Sequence, residues 1–247
     1  FITGVYTKYS NTIKVAKEVV GIKPGYEHFA TMHILNSKKG TFFIGDTLIN
    51  RHPGTNTLVD VARLMEGAVR VFNHEPVMAM ASYSNFGSDT VGSPAEVHEA
   101  VRILQEEDPS RLIDGEMQIN IALDKELRDR KYPFTRLRGK DVNTLVFPNL
   151  SSANMASKLI QYMSPDVEVI GPLQIGLNKP IHFTDFESSV RDILTITAVA
   201  AIDAIVSKCK CTENCLISTT IMASFSFASW HILDSGKGYW LTFRTLA

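Results

Sequence analysis

Short β-rich apolar runs alternate with stretches of helical periodicity along most of this chain, and few folds accept that order. Leu58, Val61, Ala62, Met65, Val69 and Phe72 recur at three and four residues behind Thr57 and Asp60, which stand in a capping-box arrangement. Residues 76–83 then read as a buried strand closed by Ser84-Asn-Phe-Gly-Ser88. Ser93-Pro-Ala-Glu96 opens a second helix, with Ser as N-cap, Pro at the first helical position and Glu at the third. The pattern continues with strands at 112–113 and 117–122, a short helix from Asp124, and a strand at 144–147 stopped by Pro148. Ser152 caps the next helix, whose inward stripe is Met155, Leu159, Ile160 and Met163. Strands at 167–170 and 180–183 lead to a last helix from Ser189. Strands and helices alternating at this spacing predict an α/β fold around a mainly parallel sheet. In such sheets a ligand lies beyond the carboxyl ends of the strands.

Upstream, Asn11 caps a helix carrying Ile13, Ala16, Val19 and Val20 on one side, and Gly21 and Pro24 stop it. Residues 29–35 and 41–44 flank Asn36-Ser-Lys-Lys-Gly40 and predict a β-hairpin. After about Val206 the pattern is lost, so residues 1–205 are read as one domain and 206–247 as a tail outside it. The opening at Phe1 reads as a cut from a longer protein.

Lys and Arg total 25 against 26 Asp and Glu, a net charge of −1, which argues against nucleic acid or an anionic membrane as partner. The uncharged run between Asp192 and Asp203 falls short of the ~20 apolar residues that span a bilayer. Cys209, Cys211 and Cys215 form no disulfide framework, which points to a cytoplasmic setting, and they lack the fourth ligand of a closed zinc site. No metal is expected. Metalloprotease, nucleophile-elbow, P-loop and dinucleotide fingerprints are absent from the sequence.

Several positions carry chemistry. His33 and His182 sit in strand runs and read as hydrogen-bonded core residues rather than catalysts. Asp114-Gly-Glu-Met-Gln118 is either a turn in which Asp114 bonds local amides or the polar floor of a pocket. The 84–88 loop can offer hydroxyls and backbone N–H groups to a phosphate or acyl oxygen, and Asn149-Leu-Ser-Ser-Ala-Asn154 occupies the equivalent place before a helix. Asp192 has two readings: a reciprocal cap with Ser189, or a carboxylate facing a cleft as proton acceptor.

Taken together, the 84–88 and 114–118 runs, Val146-Phe-Pro-Asn-Leu150 with Asn154 and Lys158, the 170–180 run and Ser189-Val-Arg-Asp-Ile193 resemble phosphate acetyl/butyryl transferases. They are most similar to the transacetylase-like C-terminal domain of bacterial hybrid malic enzymes, a branch that Thr31-Met-His-Ile-Leu35 and the 43–50 run also fit. The resemblance implies an isocitrate/isopropylmalate dehydrogenase-like three-layer sandwich, truncated at its N-terminal side, with a cleft between two subdomains. It implies Asp192 as the family's aspartate. It also implies an acyl-CoA or phosphate cleft at Ser84, Asn85, Gly87, Ser88, Glu116, Gln118, Asn149, Asn154, Gly171, Gly176, Lys179 and Asp185.

Two departures bear on activity. Asp185, Phe186 and Glu187 stand where active members carry Ser-Arg-Gly, and Asn85-Phe86 stands where they carry Thr-Lys. Two cations are lost and two carboxylates gained where an anion would bind, which opposes phosphate binding. The resemblance therefore implies a regulatory, self-associating domain that senses acetyl-CoA as an effector, with no covalently bound cofactor. NADP and a divalent metal would belong to a malic-enzyme region outside this chain. The alternatives are an active phosphate acetyltransferase and a purely structural oligomerisation module.

Overall fold

The computed structural model describes residues 1–4, 9–184, 188–209, 231–234 and 239–242. Backbone contacts divide the chain into two units, Phe1–Ala204 and Ile205–Ala247. The first opens with β1 (Ile2–Gly4) and α1 (Tyr9–Val19), so Asn11 lies inside the first turn rather than capping it.

The centre of this unit is a six-stranded sheet. Its strands are β2 (Ala30–Ser37), β3 (Gly40–Gly45), β4 (Met78–Ala81), β5 (Ile113–Met117), β6 (Thr144–Val146) and β7 (Glu168–Ile175), in the order β5-β4-β6-β3-β2-β7. β5, β4, β6 and β3 run parallel, whereas β2 is antiparallel to both β3 and β7. The sheet is mixed because β2 and β3 form the expected hairpin. Gly40, at φ 124°, takes a conformation that a Cβ would resist, and it pairs with Ser37 to close the turn.

Helices cover both faces. α2 (Thr55–Val71), α3 (Ser93–Glu107) and the first half of α7 (Val190–Cys209) lie on one face. α4 (Ile119–Leu123), α5 (Lys125–Lys131) and α6 (Leu150–Met163) lie on the other. The strand pleat sorts the side chains: Met78 and Met80 join Leu58, Met65, Leu104 and Ile196, while Ala79 and Ala81 join Ile121, Ala122 and Ala153. Met65, Met78, Met80 and Leu104 have no exposed surface, and each such side chain contributes about 1.5–3 kcal/mol. Apart from this sheet, β1 pairs in parallel with β8 (His182–Thr184), where Tyr9 meets Phe183 edge to face.

Four local expectations are corrected. Residues 119–123 are helical, not strand: a short apolar run carries no decisive period, and the Ala122 N–H donates to Gln118 O to form the turn. Thr57 and Ser93 cap nothing, since α2 and α3 begin behind Gly54 and Gly92. Asp60 instead accepts the N–H groups of Glu27 and His28. At α6 the cap is Asn149, whose side chain accepts from Ser152 N, not Ser152 itself.

The inward stripe of α6 is also reversed for three of its four residues. Met155, Leu159 and Met163 are 65%, 59% and 70% exposed, while Ala153 and Ser157 are buried and only Ile160 faces the core. Two stripes of helical period coexist in this segment, and the small residues give the closer approach to the sheet.

In the second unit, β9 (His231–Asp234) and β10 (Tyr239–Thr242) pair antiparallel. Cys211 and Cys215 lie outside the described residues. Among those described, no helix is long and apolar enough to cross a membrane, and no three His, Cys, Asp or Glu side chains are grouped to hold a metal ion.

Candidate functional site

The parallel strands β3, β4, β5 and β6 release their chains at one edge of the sheet, and the loops that follow bring Asp46, Ser84, Gln118 and Asn149 to that edge. The 84–88 loop is built around a carboxylate. Glu116, on β5 and without exposed surface, accepts from Ser84 Oγ at 2.8 Å and Gly87 N at 2.7 Å through Oε1. His98 Nδ1 lies 3.1 Å from its Oε2, and Phe86 N donates to its backbone carbonyl at 2.8 Å. Ser88 Oγ accepts from Asn85 N, Ser88 N donates to Asn85 O, and Ser84 Oγ accepts from Asp89 N. The N–H groups expected to be open to an anion are thus spent on the protein itself.

The 114–118 run combines both readings. Asp114 does accept from the neighbouring Gly115 N, at 3.0 Å, but it lies in a strand and also receives Thr135 Oγ1 at 2.6 Å and Arg136 N at 2.8 Å. Glu116 forms the floor beneath the 84–88 loop.

The amides at this edge are half used. Asn85 Oδ1 accepts from Gln118 N, Gln118 Nε2 donates to Tyr83 O, and Asn149 Oδ1 accepts from Ser152 N. Asn154 Nδ2 reaches Thr47 O at 3.5 Å. Asn85 Nδ2 and Asn149 Nδ2 meet no acceptor among the described residues, leaving neutral donors suited to an amide or thioester carbonyl.

Asp46 was not singled out from the sequence, yet it organises the neighbouring turn. It accepts from Thr31 N at 2.8 Å, Thr31 Oγ1 at 2.7 Å, Asn50 N at 2.7 Å and Asn50 Nδ2 at 2.6 Å. A strand-ending Asp four residues before an Asn was the available signal, since a short carboxylate there can close a turn on the amides ahead. Beyond it, Thr47 Oγ1 lies 2.8 Å from His33 Nδ1. Burial, aided by the nearby Lys158 cation, depresses His33 to about 4. His182 is depressed to about 4 by burial and then by the N-terminal amine, with Nδ1 accepting from Gln174 N. Both imidazoles are neutral core groups, as their strand positions implied.

Gly171 and Gly176 answer to packing. A Cβ on Gly171 would lie 2.9 Å from Met32 O, and one on Gly176 would lie 2.5 Å from Leu64 Cδ1. Lys179 is exposed between β7 and β8.

Asp192 sits elsewhere. It borders a cavity of about 190 Å³ with Glu168, Gly171, Arg191 and Thr195, beside β7 at the far edge of the sheet. Four strand spacings separate β7 from β4, roughly 19 Å, so Asp192 and the 84–88 loop do not share one pocket. Its Oδ2 accepts from Ser189 N at 2.8 Å and Ser189 Oγ at 2.7 Å, and Asp192 N donates back to Ser189 Oγ: the reciprocal cap is formed. Arg191 pairs with Glu168, so this cavity holds two carboxylates against one cation. Asp185, Phe186 and Glu187 lie outside the described residues.

Known proteins share this architecture. The chain is 32% identical over 203 residues to the NADP-dependent malic enzyme of Escherichia coli (strain K12), covering 82% of this chain and 27% of that protein. It is 30% identical over 204 residues to the phosphate acetyltransferase of Buchnera aphidicola subsp. Schizaphis graminum, covering 83% of this chain and 28% of that one. It therefore spans little more than a quarter of the length of these relatives. A phosphotransacetylase from Streptococcus pyogenes superposes with a TM-score of 0.77 at 29% identity, over 83% of this chain and 62% of that one. Residues 1–201 match the phosphate acetyl/butaryl transferase family, and the chain belongs to it.

Proposed function

We propose that this chain is the regulatory and oligomerisation domain of a cytoplasmic malic enzyme and holds acetyl-CoA as an effector without transferring its acetyl group. Oxidative decarboxylation of malate, with NADP and a divalent metal, belongs in this reading to a region beyond these 247 residues. The likeness to malic enzymes supports it. The observation that carries it is that the transfer groups are committed elsewhere. Asp192, which would deprotonate a thiol, caps α7 through Ser189, and the 84–88 donors encircle Glu116. Neutral amide donors remain at the strand ends, and they can hold a thioester arm without driving phosphate chemistry.

In the finer reading the cleft lies between two subdomains of an isocitrate dehydrogenase-like fold, and effector binding favours one arrangement by its differential affinity. Self-association has a surface ready for it. Met155, Leu159, Tyr162 and Met163 are 65%, 59%, 90% and 70% exposed on α6. Together they expose on the order of 500 Å², the size at which an apolar patch marks an interaction site. α6 carries one charged residue, Lys158, so little opposes a second copy of the same face.

Likeness to phosphate acetyltransferases favours a second reading, an active transferase. Titration of acetyl-CoA into the 247-residue chain in phosphate buffer, with acetyl phosphate assayed, separates the two. The regulatory reading expects a saturable isotherm and no acetyl phosphate. Sustained acetyl phosphate formation would replace it with the transferase, and silence from folded protein would leave only a scaffold.

A further inference from the structure

Of the eight methionines in the chain, five serve the core: Met32, Met65, Met78, Met80 and Met117 are fully buried. Met222 lies outside the described residues. The other two, Met155 and Met163, stand exposed on α6, and in a single copy neither gains burial energy. A thioether is oxidised where an oxidant reaches its sulfur, so the fold divides these side chains into a protected set and a reactive pair.

The reactive pair is placed by a symmetrical pattern. Met155, Leu159 and Met163 stand four residues apart, so they form one ridge about 12 Å long, with Tyr162 beside it. The small Ala153 and Ser157 turn the opposite side of α6 to the sheet, which holds this ridge toward solvent. From Leu159 the ridge is the same in either direction, three residues and then a methionine. A two-fold axis through Leu159 therefore lays Met155 of one copy beside Met163 of the other, and does so twice. The symmetry of the ridge points to a second copy of this chain as its occupant. An apolar patch of about 500 Å² on each copy gives about 1,000 Å² between two, the size a specific interface needs.

We propose that this face is an oxidation-sensitive contact: a peroxide converts Met155 and Met163 to sulfoxides and thereby separates the copies. The inference rests on the self-association reading above. In the reaction the methionine sulfur attacks one peroxide oxygen, the S–O bond forms as the O–O bond breaks, and the second oxygen leaves as water with the proton of the first. Sulfur loses two electrons and the peroxide gains them. Each sulfoxide is a strong hydrogen-bond acceptor, so the two-fold contact would have to desolvate two such groups from each copy at once. The core methionines stay reduced, and the chain remains folded while the contact is lost. Sulfoxide reductases reverse the change, which makes it a switch rather than damage.

Limited hydrogen peroxide treatment of the full 247-residue chain tests this, with peptide mass mapping for the oxidised sites and sedimentation velocity for assembly. A reducing thiol added after quenching resets cysteine disulfides and sulfenic acids. Sulfoxide should appear at Met155 and Met163 before the five core positions, and the dissociation constant of the pair of copies should rise at least about tenfold. Methionine sulfoxide reductases should restore it. The Met155→Leu, Met163→Leu double variant should associate like wild type and ignore peroxide. Met155→Gln with Met163→Gln should be monomeric without treatment, and circular dichroism should be unchanged for both double variants. Association that survives oxidation of both residues would overturn this inference and leave self-association standing, as would equal oxidation of the core positions or peroxide-driven dissociation of the leucine variant. Untreated wild-type chains that stay monomeric would overturn both.

Discussion

Ser84 Oγ donates to Glu116 Oε1 at 2.8 Å, and this bond fixes a loop to the strand beneath it. The carboxylate is fully buried and holds Gly87 N and His98 as well. Glu116→Ala should cost roughly 3 kcal/mol, since it removes the fully buried acceptor shared by Ser84 Oγ, Gly87 N and the His98 ring and leaves the buried Ser84 hydroxyl without it. Glu116→Gln keeps the shape and one acceptor and should cost only about 1 kcal/mol. Urea unfolding of the two variants checks the ranking, and equal midpoints would show that the loop does not depend on this charge.

Gly171 allows β7 to cross closely against β2. Its φ of 130° and the 2.9 Å that would separate a Cβ from Met32 O leave no room for a side chain. Gly171→Ala should destabilise the protein by about 2–4 kcal/mol. A thermal midpoint equal to wild type would mean that the crossing relaxes freely.

The exposed stripe of α6 predicts an assembly phenotype without a folding one. Leu159→Asp should turn self-associated chains into monomers in sedimentation velocity. An exposed position should shift stability by no more than about 0.5 kcal/mol. Unchanged sedimentation would remove this face from the assembly.

Stability should fall in mild acid. His33 and His182 are held near 4 when folded, against 6.5 for the free side chain, so between these values the unfolded chain binds more protons. Their contribution is full above about 6.5, is lost as pH falls and levels off near 4. A depression from 6.5 to about 4 allows each a loss of roughly 3 kcal/mol. Urea midpoints at pH 7.5 and pH 5 should differ in wild type and differ by about half as much in His33→Gln, where His182 still titrates. Equal wild-type midpoints would mean that neither imidazole is held neutral by the fold.

Much of the fold was legible because its signals are local. The β2–β3 hairpin, the amphipathic α2 and α3 and the buried β4 each announce themselves through spacing within a dozen residues. Where two periods were present the sequence was ambiguous, as at 119–123 and on α6, because only the neighbouring surface selects a face. The site followed the same division. Asn85 and Asn149 could be placed at strand ends from topology alone, whereas Gln118 fell inside the strand expected at 117–122. Asp46 stayed hidden, since its value lies in amides from Thr31 and Asn50 that the hairpin brings together.

The sequence by itself determined the alternation of strands and helices, the family resemblance and the loss of two family cations, because each is written in residue identity and short-range spacing. Tertiary structure alone decided that the 84–88 donors turn inward to Glu116. It also decided that Asp192 caps a helix beside β7, four strands away from the β4 that leads into that loop, and that Phe86, Tyr132 and Phe134 meet at the surface. Those relations join residues tens of positions apart, and a hydrogen bond or a ring contact exists only once packing has set both partners within a few ångströms.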